Sequence, residues 1–305
     1  MTTISRRKFV QTTLGLALAG PAVTNAFADV QAKRPLLAFS SLGAPKWDFD
    51  TILSYAAKNR YQGIELRGIL DQMDLPLCPE FSTPEQIKVS VAKLKKHRVQ
   101  VVGLGASARL HIADPKLRKE NLDEAKRFID LAQKINCPYV RVFPNNLPKN
   151  QDREETIQLI ISGLKELGDY AKDKKVKVLL ESHGEVIGKD LLKRIMQASE
   201  HPHVALIWDI FNMWSVTGES PTEVYDALKK YIVHVHVKDA VKENGKWRYV
   251  QVGKGEAPLK EAFSALQKGG YKGFYAFEWE KKWHPTIEEP EVVIPEFPKA
   301  MEALL

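Results

Sequence analysis

Cysteine is nearly absent: Cys78 and Cys137 are the only two among 305 residues. That excludes a disulfide-dense scaffold and a structural zinc site built from clustered thiolates. No uninterrupted apolar run reaches the roughly 20 residues that a membrane-crossing helix needs, so no stable span is expected. A Gly-rich phosphate turn is also missing. Ser41, Leu42 and Gly43 follow the first apolar run instead, which argues against an open, doubly wound dinucleotide-binding sheet. No low-complexity linker marks a second domain. The formal charge of +7 is a mild excess, without the arginine cluster and interleaved aromatics of a nucleic-acid surface, so no nucleic-acid partner is expected.

The first residues have their own pattern. Ser5, Arg6, Arg7, Lys8, Phe9, Val10 and Gln11, ahead of the apolar stretch from Thr12 to Ala19, resemble the twin-arginine export signal. Ala26, Phe27 and Ala28 form a small-x-small cleavage site. An ordinary signal peptide or a short membrane anchor is the alternative. The resemblance implies a periplasmic protein that meets the twin-arginine export machinery folded, with residues 1–28 removed and residues 29–305 forming a single domain. The leader holds three basic residues and no acid, so its removal lowers the charge to +4.

That domain alternates short β-rich runs with longer segments of helical spacing, the pattern of βα units and a parallel sheet. Eight strands are predicted: Leu36 to Ser40, Gly63 to Leu66, Val99 to Leu104, Tyr139 to Phe143, Val176 to Glu181, Val204 to Asp209, Ile232 to Lys238 and Gly273 to Glu278. Helices are predicted over Phe49 to Asn59, Pro84 to His97, Lys119 to Ile135 and Asp152 to Lys174. The predicted fold is therefore α/β, a (β/α)₈ barrel. Thr83 with Pro84 and Ser220 with Pro221 read as N-caps followed by proline. Lys242 to Val252, centred on Asn244 and Gly245, reads as a hairpin over the barrel mouth. The stretch from Pro285 to Pro298 reads as a surface wrap before a last helix near Pro298 to Leu305. Cys78 follows the second strand and Cys137 precedes the fourth. They fall at opposite ends of a barrel, and no disulfide is expected.

Four consecutive strands in the second half end in Glu181, Asp209, His236 and Glu278. In a barrel these side chains meet at the C-terminal mouth, where such folds carry their chemistry. Each alone has a plainer explanation: the polar end of a strand for Glu181, an N-cap for Asp209, a core histidine for His236. Together, three oxygens and one nitrogen suit one divalent ion, with Mn²⁺ or Mg²⁺ favoured and Co²⁺ or Zn²⁺ as alternatives.

The order Glu181, Asp209, His236 with Val-Lys-Asp, then Glu278 in Phe-Glu-Trp-Glu, resembles the sugar isomerase and epimerase family with the xylose isomerase-like barrel, a family that includes the endonuclease IV group. Tyr61 to Arg67, Val252 to Glu256 and Gly270 to Gly273 extend the resemblance over nearly the whole domain. It implies that a metal holds two vicinal oxygens of a keto sugar while Glu181 and Glu278 move a proton, passing through an enediolate. Asn212 departs from the pattern, since the family commonly has a histidine there. An amide neither ligates as an imidazole nor titrates near neutrality.

His183, Asn212, Lys238, His111, Glu65 and Arg141 are further candidates for substrate contact, with Arg67 and Glu280 nearby, whereas His234 reads as a core residue. Trp208, Trp214, Trp279 and Trp283 fall near the mouth, where flat rings suit either packing or the apolar faces of sugars. The functional expectation is a sugar isomerase or epimerase acting on a free or oxidised sugar. A lyase or hydrolase of keto-glycosides would use the same proton abstraction, and a periplasmic sugar-binding protein without catalysis is the reading from another class. The sequence leaves an oligomer open.

Overall fold

The computed structural model describes residues 35–305, so the export signal and cleavage site read above lie outside the described residues. Strands β1 (Leu36–Ser40), β2 (Gly63–Leu66), β3 (Gln100–Arg109), β4 (Tyr139–Phe143), β5 (Lys177–Glu181), β6 (Val204–Asp209) and β7 (Ile232–Val237) run in chain order. They are followed by β8 (Asp239–Glu243), β9 (Lys246–Val250) and β10 (Phe274–Phe277). The first seven and β10 pair in parallel and close on themselves in the order β1-β10-β7-β6-β5-β4-β3-β2, the expected (β/α)₈ barrel.

Nine helices lie among the described residues: α1 (Phe49–Lys58), α2 (Pro84–His97), α3 (Pro115–Ile135), α4 (Arg153–Ala171), α5 (Lys189–Ala198), α6 (Ile210–Thr217), α7 (Pro221–Leu228), α8 (Leu259–Lys268) and α9 (Pro290–Leu304). Helix α4 shows why they surround the sheet. Its stripe of Ile157, Ile160, Ile161, Leu164 and Leu167 is buried, and Asp152 caps its first turn by accepting from the Glu155 N–H.

Several boundaries differ from the sequence reading, each for a local reason. Thr83 caps α2 as expected, but the Ser220 hydroxyl donates to Glu261, whose carboxylate takes the Thr222 N–H in its place. Helix α3 starts earlier because Asp114 caps Leu117 N ahead of Pro115. Strand β3 runs on to Arg109, since α3 side chains supply partners: Glu124 accepts from Ser107 N and Asn121 from Arg109 N. The hairpin spans Asp239–Val250, with Asn244 and Gly245 at φ 50° and 78°, the left-handed pair that a tight two-residue turn requires. The last helix is not confined to the C-terminal tip; α9 begins at Pro290 and carries Pro295 and Pro298 inside it. A proline cannot donate to the carbonyl four residues back. For Pro298 that carbonyl is Ile294 O, which instead accepts from the buried Tyr61 hydroxyl at 2.6 Å. Both cysteines are buried and free.

Inside the barrel, alternate residues face the axis, and the chemistry changes with height. Leu179, Ala205 and Ile207 form one small apolar cluster, and Ala38, Val102 and Ala276 another, both separate from the large core beneath the helices. Two residues further along the same strands stand Glu181, Asp209 and Glu278. Period-two alternation thus stacks a charged layer directly on an apolar plug. In β7 one extra residue shifts the register after Leu206↔Ile232, so that Asp209 pairs beside His236.

Candidate metal centre and active site

Glu181, Asp209, His236 and Glu278 each offer one ligand atom, and the four atoms all lie within 4.8 Å of one another. All four residues are buried. His236 Nδ1 stands 3.4 Å from Glu181 Oε1 and 3.3 Å from Glu278 Oε1, yet it has no hydrogen-bond partner, and neither has Glu181 Oε2. Unpaired buried polar atoms are costly. Here they converge among three carboxylates, so the donor set fits a hard to borderline divalent cation.

The opposite edge of the imidazole is fixed from across the barrel. His236 Nε2–H donates to Glu65 Oε2 at 2.9 Å, which leaves Nδ1 as the nitrogen free to ligate. A carboxylate behind a histidine commonly sets tautomer and orientation in this way. The same Glu65 oxygen accepts from His234 Nε2 at 3.0 Å, which places His234 in the barrel interior. Glu65 therefore stands behind His236, with both histidines on one oxygen, and does not line the cavity described below. Burial would raise its pKa, but His236 and His234 more than offset that and hold the carboxyl far below the usual range.

Lys238 Nζ lies 2.8 Å from Asp209 Oδ2, 2.6 Å from Glu278 Oε2 and 2.6 Å from Glu280 Oε1, fully buried. Burial disfavours its charge; the three carboxylates overcome this and hold the ammonium well above its ordinary pKa. Burial likewise opposes ionisation of Glu278, and His236 with Lys238 reverses the balance, holding it well below the carboxylate range. For Glu181 the penalty of burial is outweighed chiefly by Arg141, whose Nε sits 3.1 Å from Oε2 without the alignment of a hydrogen bond. Asp209 is the exception, pushed up to about 7 by burial despite Lys238.

Asp209 also caps α6. Its Oδ1 accepts from Asn212 N at 2.9 Å and its Oδ2 from Asn212 Nδ2 at 2.6 Å. The plain N-cap role and a place in the cluster coexist, and the amide that departs from the family pattern holds the carboxylate. Asp239, next to Lys238, accepts from Gly253 N, Gly255 N and Ala257 N, which explains the pairing of Val-Lys-Asp with the glycine loop: one residue enters the site and the next pins the loop.

Above the cluster lies a cavity of about 220 Å³, lined in part by Arg67, Arg141, Glu181, His183, Asn212 and Glu278. Gly105 makes room for the two arginines, since a Cβ there would stand 2.6 Å from Arg67 Cδ. His183 is positioned by Asn145, its Nδ1 2.9 Å from Oδ1, and burial lowers its pKa, favouring the neutral ring. His111 does not line the cavity; it is buried beside the loop after β4, which removes the basis for expecting it at a substrate. Sequence reasoning missed Tyr249 on the hairpin, whose hydroxyl donates to the cavity-lining Glu280 at 3.1 Å. A larger cavity of about 440 Å³ lies between α9 and the Val252–Lys254 loop. It carries no buried carboxylate or imidazole, whereas the smaller one opens onto the cluster.

A closed parallel barrel with a buried carboxylate and imidazole cluster at its C-terminal mouth defines the class. Residues 53–301 match the family described as Xylose isomerase-like TIM barrel, and the chain belongs to that family. It is 25% identical to an inosose isomerase of Halalkalibacterium halodurans over 237 residues, 74% of this chain and 80% of that one. Over 155 residues, 45% of this chain, it is 28% identical to an inosose dehydratase of Geobacillus thermodenitrificans. That alignment spans about half of the dehydratase, 51% of its length. Among solved structures, the IolI protein with a binding zinc atom superposes with a TM-score of 0.71 at 19% identity, over 88% of this chain and 95% of that one. No helix of the described residues is long and apolar enough to cross a membrane.

Proposed function

We propose that this chain is a divalent-metal-dependent enzyme that removes a proton next to the carbonyl of a sugar or a cyclic polyol and returns it elsewhere, an isomerase or epimerase. The observation that carries this reading is the pair Glu181 and Glu278, both held ionised and both facing His236 Nδ1 at the floor of one cavity. A divalent ion held by Glu181, Asp209, His236 and Glu278, with Mn²⁺ or Mg²⁺ suited by three oxygens and one nitrogen, would polarise the substrate carbonyl and so acidify the adjacent C–H. Glu278 is the base, because it lines the cavity and Lys238 at its Oε2 keeps it charged. Glu181, steadied by Arg141 and ionised at rest, takes up a proton from solvent and delivers it to the carbanion, while Glu278 releases the proton it removed to solvent. Arg67, His183 and Asn212 line the walls and orient hydroxyls.

A second reading, a lyase, is favoured by the dehydratases among the relatives and by Lys238 with Glu280, which set a proton donor beside the base. Product analysis separates the two. The Mn²⁺-loaded protein, incubated with inosose and keto-hexoses in D₂O, is expected to give a product of unchanged skeleton mass carrying deuterium next to the carbonyl. Loss of water or of an aglycone selects the lyase, and absence of both exchange and conversion across the panel and across added metals sinks the enzyme reading.

Export to the periplasm by the twin-arginine machinery, with removal of residues 1–28, belongs to the same proposal and rests on Arg6 and Arg7 ahead of the apolar stretch. Exchange of both for Lys is expected to leave the protein in the cytoplasmic fraction; unchanged fractionation overturns it.

A further inference from the structure

Trp283 lines the cavity over the charged cluster yet leaves 54% of its surface to solvent. Isolated exposed apolar residues are ordinary on protein surfaces, and the one feature that sets this ring apart is how firmly its loop is built. Buried Lys281 donates to Pro285 O at 2.8 Å, to Ile287 O at 2.5 Å and to Glu289 Oε1 at 2.7 Å. Trp279 Nε1 donates to Glu288 O at 3.0 Å. Lys282 ties the loop to its neighbours, its N–H to Leu42 O at 3.3 Å and its Nζ to Asp71 Oδ1 at 2.6 Å. On the hairpin side, the Tyr249 ring packs edge-on against His284 at 5.0 Å. A buried ammonium spent on carbonyls of its own loop fixes that loop's shape, so the backbone that carries Trp283 is set at the mouth before any ligand arrives. A pre-ordered loop binds without the entropy cost of ordering it.

The size of the cavity sets the second constraint. At about 220 Å³ it is smaller than the roughly 300–1,000 Å³ usual for small-molecule sites, so it holds little more than one sugar-sized ring. Anything attached to that ring must leave through the mouth. Inside, the wall is polar and charged, with Phe143 as an aromatic face already covered by the Arg141 guanidinium at 3.6 Å and by the His183 ring at 4.6 Å. Trp283 has Lys282 Nζ 5.8 Å from its ring centroid and still leaves more than half of its surface open. Indole offers a broad apolar surface with a polar edge, which matches the C–H face of a pyranose.

We propose that Trp283 forms a second sugar subsite: the substrate is a glycoside whose reacting ring enters the cavity while the sugar attached to it stacks on the indole outside. This rests on the proposed function for the identity of the reacting ring, but not for the stacking itself. The test is therefore a binding experiment on protein carrying Glu278→Gln, which removes turnover from consideration. With Mn²⁺ saturating, calorimetry compares a 3-keto-hexose with the disaccharide in which that keto ring carries glucose at C1, each with and without Trp283→Ala and Trp283→Phe. The disaccharide is expected to bind more tightly than the monosaccharide, to lose about tenfold or more in Kd with Ala, and to recover most of it with Phe; the monosaccharide Kd changes by a far smaller factor. The subsite is overturned if Ala weakens both ligands equally or neither, or if the disaccharide binds no better than its keto ring. Failure of every keto sugar to bind, while glucose disaccharides still show the Trp283 dependence, defeats the proposed function and leaves the subsite standing.

Discussion

Exchanging Glu278 for Gln removes turnover. The substitution keeps the shape of the side chain and deletes the charge that Lys238 and His236 maintain, so the site loses its base while the barrel stays folded. A positioned carboxylate contributes on the order of 10²–10⁴ in rate, and a drop in kcat of about 10³-fold or more is expected. Lost charge at the cluster also weakens metal binding, so the assay is run at saturating Mn²⁺. The decisive readout is solvent exchange at the carbon next to the carbonyl, followed by NMR in D₂O: it disappears in Glu278→Gln. Near-normal exchange would remove Glu278 from the role of base and pass it to Glu181.

Lys238→Met produces the largest loss of stability. Met is close to Lys in volume, but it leaves Asp209, Glu278 and Glu280 facing one another without the ammonium that all three contact. Removing one partner of a buried ion network costs about 3–5 kcal/mol, because the surviving charges stay desolvated and unpaired. Urea titration in EDTA is expected to show that deficit. A divalent ion draws on two of the same carboxylates, Asp209 and Glu278, so it competes with the lysine in the native protein and replaces it in the variant. The gap between the two proteins therefore narrows when Mn²⁺ is added. An equal gap with and without the ion means that Lys238 and the metal do not share those carboxylates.

Much of the fold was legible because barrel strands are short apolar runs with few alternatives. The runs ending at Ser40, Leu66, Phe143 and Asp209 were read to the residue, and the interval to each following helix is set by local caps such as Thr83 and Asp152. Boundaries slipped where a distant side chain did the capping. Glu261 took the role read for Ser220, and Tyr61 bonded the carbonyl that Pro298 cannot reach, so α9 continued through a residue that normally ends a helix.

In the site, parity along each strand was enough to bring Glu181, Asp209, His236 and Glu278 to one face, because alternation and a shared strand end are properties of the local chain. Their partners were not readable. Glu65 lies 171 residues before His236, and only closure of the barrel turns a carboxylate on β2 into the group that selects which imidazole nitrogen is free. Lys238 sat in plain view at the end of β7, but whether it would reach solvent, substrate or three carboxylates depends on which strands flank it. His111, equally polar and equally near a strand end, was carried away from the cavity by the path of its loop. The sequence by itself determined which residues carry charge at the mouth and which faces are apolar, since those follow from side-chain chemistry and a period of two. Only the tertiary structure decided which charges neutralise one another and which atoms are left without a partner, because those are set by distances across the barrel that chain spacing does not encode.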